Sequence, residues 1–122
     1  MARTTIGRLA ASVAFGLVAT AAFAHAQLES AVPPVGGSVA SPSEIRLKFG
    51  EGVEPRFSGV TVVGANGAPA TVGAPSVDPV DKSVLIVKVT KPLAPGVYTV
   101  RWHAVSVDTH KTQGSFNFTV QP

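Results

Sequence analysis

The chain has 122 residues, with ten Lys or Arg against seven Asp or Glu, a formal charge of +3 and a sequence pI of about 9.7. Only 14% of residues are charged and the cations form no run, which excludes the clustered positive surface that nucleic-acid binding needs. At 45% hydrophobic residues the chain can bury a core, and without cysteine it has no disulfide, thiolate metal ligand or cysteine nucleophile.

Residues 1–24 read as a secretory signal peptide. Arg3 and Arg8 form a basic start, Leu9 to Ala22 is apolar and uncharged, and Ala22-Phe23-Ala24 offers small residues to a signal peptidase. The apolar stretch is shorter than the roughly 20 residues of a permanent span. Cleavage after Ala24 leaves a domain of residues 25–122 that begins with His25. Ala24-His25-Ala26 satisfies the same rule and would make Gln27 the first residue; the sequence leaves both cuts open. Most of the excess charge goes with the signal, because residues 25–122 hold eight Lys or Arg and seven Asp or Glu.

The remaining residues are punctuated as an all-β domain. Turn signals stand at Pro33-Pro34, Gly36-Gly37, Asn66-Gly67, Pro79 and Pro95-Gly96. Between them Ile45, Leu47 and Phe49 alternate with Glu44, Arg46 and Lys48, predicting a strand with one buried face. Val60 and Val62 mark a second strand, and Leu85, Val87 and Val89 a third. In the long run 97–107, Tyr98, Val100, Trp102 and Ala104 share a face. Phe116, Phe118 and Val120 alternate in a final strand. Valine dominates the apolar set, and β-branched side chains suit a pleated surface. The pattern predicts an immunoglobulin-like β-sandwich or Greek-key β-barrel of about seven strands.

Three histidines exist, His25, His103 and His110, and Asp108 is the one carboxylate close to a histidine in sequence. Ser106, Asp108 and His110 lack the nucleophile elbow that a hydrolase would need. Asp108 and His110 lie two apart, so an extended backbone aims both to one side. That parity continues back through Ser106, Ala104 and Trp102, so the chain must turn near Asp108 for the pair to reach solvent or a metal. One reading makes Asp108 a turn cap and His110 a solvated side chain. The other adds His25 as a first residue, whose α-amino group and imidazole can chelate one metal together with Asp108 and His110. Such a nitrogen-rich, sulfur-free set favours Cu(II) among divalent ions. His103 falls on the opposite parity from Trp102 and is expected on the surface beside Arg101.

The ordered motifs His25-Ala26-x-Leu28-x-Ser30-x-x-Pro33, Leu47-x-Phe49, Gly96-x-Tyr98-x-Val100-x-Trp102 and Val105-Ser106-x-Asp108-x-His110 resemble the CopC copper-resistance family. The resemblance implies a small periplasmic protein, not an enzyme, with an immunoglobulin-like barrel. It also implies one Cu(II) held by the amine and imidazole of His25 with Asp108 and His110. Copper buffering or delivery follows from it, alongside a CopD-type inner-membrane protein. A monomer is expected. The family's methionine-rich Cu(I) site is not matched, because Met1 is the single methionine. Thr109 stands where the family often has glycine, and ordinary dihedrals are expected there. Two other readings are a histidine-brace copper monooxygenase resembling those that cleave polysaccharides, and a metal-free immunoglobulin-like interaction module.

Overall fold

Eight strands form along residues 27–122, the part of the chain that the computed structural model describes. The signal-peptide reading of residues 1–24 and the proposed ligand His25 lie outside the described residues. The strands are β1 (Leu28–Val32), β2 (Ser38–Val39), β3 (Glu44–Phe49), β4 (Gly59–Gly64), β5 (Ser76–Val77), β6 (Val84–Lys88), β7 (Gly96–Val105) and β8 (Lys111–Val120). They build two four-stranded sheets, ordered β1-β3-β6-β5 and β2-β8-β7-β4. Every pair is antiparallel except β2 with β8. The expected all-β sandwich is therefore present, with eight strands rather than about seven. The two-residue strands β2 and β5 are too short to show a period in sequence.

The predicted inward faces meet in one core. Ile45, Leu47 and Phe49 from β3 and Leu85 and Val87 from β6 are fully or almost fully buried, opposite Val100, Ala104, Phe118 and Val120 of the second sheet. Phe49 meets Trp102 edge to face across the sandwich, with centroids 5.1 Å apart and planes at 68°, a favoured aromatic geometry. Trp102 in turn lies over Gly114, its antiparallel partner on β8. A Cβ at Gly114 would stand 2.7 Å from Trp102 Cζ2, so only glycine admits the indole there.

β6 is buried on both faces, which alternation in the sequence does not predict. Val84 and Ile86 point away from the core yet are almost inaccessible. Arg46 is the reason for Ile86. It stands opposite Ile86 in register and reaches Asp78, just beyond β5, at 2.6 Å, so its aliphatic stem crosses β6. Lys48, opposite Val84, reaches Asp81 at 3.2 Å and the Ser83 hydroxyl at 2.5 Å.

These pairs give the fold an acid limit. The Arg46 guanidinium holds Asp78 below the ordinary carboxylate range, and hydrogen bonds from Ser83, then Lys48, hold Asp81 at about 2. Because both folded values lie below the unfolded one, their contribution is complete above about pH 4 and is lost as pH falls towards 2. The urea midpoint should therefore be flat from pH 7 to pH 5 and decline below pH 4. A midpoint unchanged down to pH 2.5 would contradict this account.

Candidate metal centre

β7 and β8 are joined by the tight hairpin that carries Asp108 and His110. The last strand pair is Val105 with Lys111. Beyond it the Ser106 N–H donates to the His110 carbonyl at 2.9 Å, and the Thr109 N–H donates to the Ser106 carbonyl at 2.8 Å. Val107, Asp108 and Thr109 are thus a three-residue loop. Loops of this length close through a residue in the left-handed region, and Thr109 takes that place with φ 70°. The expectation of ordinary dihedrals at Thr109 is corrected: hairpin closure overrides the side-chain preference. A β-branched residue pays about 1–2 kcal/mol there. Thr109→Gly should raise the melting temperature by a few degrees, since relief of strain exceeds the added freedom of the unfolded chain. An unchanged or lower melting temperature would show that Thr109 is not strained.

The turn delivers the predicted pair to the surface. Trp102, Ala104 and Ser106 are buried, and the chain then reverses, leaving Asp108 and His110 with side chains 45% and 56% exposed. His110 Nδ1 lies 3.0 Å from Asp108 Oδ1. Ser106, fully buried, donates its hydroxyl proton to the same Oδ1 and accepts the His110 backbone N–H at 3.2 Å. Sequence alone offers Ser106 only as part of a discounted triad; its place as the anchor of Asp108 needs the fold. The Ser106 hydroxyl and then His110 hold the Asp108 carboxyl at about 2. Asp108 is therefore ionised at any ordinary pH. No hydrogen bond among the described residues falls on Oδ2.

A second segment supports the hairpin from the side. The Val107 N–H donates to Gly52 at 3.0 Å, the Glu54 N–H donates to Val105 at 2.8 Å, and Val53 bridges Ser106. Two residues before Gly52, the Gly50 N–H donates to the carbonyl of Gln27 at 3.1 Å. Between these anchors sits Glu51, whose Oε2 is buried without a hydrogen-bond partner among the described residues. An uncompensated buried carboxylate oxygen is costly and uncommon. Nothing in the sequence singles Glu51 out, because a lone Glu in a glycine-flanked loop has no periodic or motif signal.

Asp108 and His110 are thus brought together, while His103 is not part of the site. It points outward from β7 over Gly59, as its parity predicts. Among the described residues no cluster of three or more His, Cys, Asp or Glu side chains forms. The hairpin supplies two donors, and a complete site needs donors from elsewhere.

The succession of motifs through residues 28–121 matches the model of the CopC domain. The chain belongs to the CopC family. Copper resistance protein C of Escherichia coli is 42% identical to this CopC-family chain over 113 residues, covering 85% of the chain and 87% of that protein. The crystal structure of CopC from Methylosinus trichosporium OB3b superposes with a TM-score of 0.74 at 31% identity, covering 80% of this chain and 95% of that one. That of PcoC, a methionine-rich copper resistance protein from Escherichia coli, gives 0.72 at 34% identity, covering 80% and 100%. Unlike a methionine-rich relative, this CopC-family chain has one methionine, at position 1.

Proposed function

We propose that this CopC-family chain is a periplasmic Cu(II)-binding protein for copper resistance, with one ion held by the amine and imidazole of His25, Asp108 and His110. Connectivity at the end of the sandwich carries this reading. The three residues Gly50–Gly52 tie Gln27 at one end to Val107 at the other, a span of about 7 Å at full extension. Two more residues lead back to His25, so an N-terminal histidine has the chain length to reach the hairpin. Gln27 and Lys111, the residue after His110, also line one cleft.

The donor chemistry agrees. Asp108 needs no deprotonation before it binds a cation, and Oδ2 is the oxygen that can turn to one. With Nδ1 held by Asp108, coordination through His110 falls to Nε2, and the carboxylate orients the ring. Proton competition then acts at the histidines and the amine, so affinity falls on acidification without a contribution from Asp108. With no cysteine and no methionine after residue 1, a thiophilic Cu(I) site has no sulfur to use. Storage, or delivery to a CopD-type inner-membrane partner, is the role such a site serves, and the domain acts as a monomer without catalysis.

Titration of Cu(II) into the exported, processed protein tests the reading. One ion should bind per chain, with the electron paramagnetic resonance of a nitrogen-rich tetragonal site. Asp108→Ala and His110→Ala should each weaken binding by about a hundredfold or more, beyond what loss of an outer-shell partner costs. Absence of tight binding, or full affinity in both variants, would sink the proposal.

A further inference from the structure

The outer faces of the two sheets differ in charge. On the β1-β3-β6-β5 sheet, Arg46, Lys48 and Lys88 are matched by Glu44, Asp78 and Asp81. The other sheet has no acid at all: β2, β4, β7 and β8 contain no Asp or Glu. Its exposed cations include Arg101 on β7, which makes no side-chain hydrogen bond or ion pair among the described residues.

Register sets the donors in two rows. Thr61, Arg101 and Ser115 lie side by side across β4, β7 and β8, and Gly59, His103 and Gln113 form the adjacent row. Gly59 makes room in the second row for the His103 side chain. The His103 ring lies across its backbone, where a Cβ would come within 2.4 Å of Cε1. Beside the ring the sheet surface forms a shallow, open hollow, lined by Arg101, His103, Gln113, Ser58, Thr61 and Ser115. Arg101 and His103 leave the strand about 7 Å apart, two residues along one face, and no carboxylate lines the hollow to compete with a guest.

We propose that this hollow is a binding site for small organic carboxylates. The Arg101 guanidinium takes a carboxylate through paired N–H donors, a geometry that lysine does not reproduce. His103 and Gln113 add donors from the neighbouring row. The site is separate from the copper reading, because its β7 and β8 residues stand before Val105 and after Lys111, outside the turn that carries Asp108 and His110.

The test is an amide NMR titration of the exported, processed protein with sodium succinate, beside sodium chloride at equal ionic strength. Succinate should give saturable shifts at Arg101, His103 and Gln113, and chloride should not. Arg101→Gln should weaken binding by about tenfold or more, with Arg101→Lys intermediate. Asp108→Ala should bind succinate as the parent does, which separates this site from the copper centre. Since Arg101 is exposed, near-ultraviolet circular dichroism of Trp102 verifies that the variants are folded. Equal shifts with chloride, non-saturating shifts, or an Arg101→Gln variant that titrates like the parent would overturn the proposal.

Discussion

One residue added ahead of His25 lowers Cu(II) affinity by more than about a hundredfold and leaves the melting temperature of the metal-free protein unchanged. The extension removes the primary amine and breaks the chelate ring it forms with the imidazole, so two of four proposed donors are affected at once. Loss of an outer-shell partner alone costs 10–100-fold in affinity, which sets about a hundredfold as the lower bound for a ligand change. His25→Ala keeps the amine and loses the imidazole, and should fall between the parent and the extended chain. Intact mass of the exported protein is read first, because a start at Gln27 removes both donors and ends the proposal. Isothermal titration of the three proteins supplies the rest, and equal affinities would refute the N-terminal site.

Gly114→Ala destabilises the domain by about 1–3 kcal/mol, the range for overpacking a filled core. The added Cβ would stand 2.7 Å from Trp102 Cζ2. Retreat of the indole is limited by Phe49, which packs against it at a centroid distance of 5.1 Å. For a domain of this size the loss corresponds to a fall of roughly 5–20 °C in melting temperature. Thermal unfolding followed by the single tryptophan measures it, and an unchanged melting temperature would mean that the indole moves aside freely.

Strands that alternate over five or more residues are legible in the amino-acid sequence. β3, β7 and β8 each bury one face and wet the other, so parity alone assigns Ile45, Leu47, Phe49, Trp102 and Phe118 to the core. β6 is only half legible. Its outer residues Val84 and Ile86 are buried by Arg46 and Lys48 from the neighbouring strand, and a pattern read along one strand has no access to its neighbours. β2 and β5 are invisible in sequence because two residues define no period.

The same division holds at the candidate centre. That Asp108 and His110 share a face, and that the chain must turn to expose them, follows from a spacing of two and the buried run behind them. Their 3.0 Å contact depends on the hairpin. So do the common oxygen on which Ser106 and His110 converge and the left-handed Thr109, whose expected ordinary dihedrals give way to loop closure. Glu51 and the Gly50–Gly52 tie between Gln27 and Val107 arise from contacts between segments far apart along the chain, Gln27 with Gly50 and Gly52 with Val107. The formal charge of +3 likewise resolves in two stages. Sequence alone separates two cations of residues 1–24 from a nearly neutral domain, because composition is local to a segment. Only the tertiary structure sorts the remaining charges into a sheet whose cations are paired and a sheet free of acids, because which charges face each other is decided by register and packing.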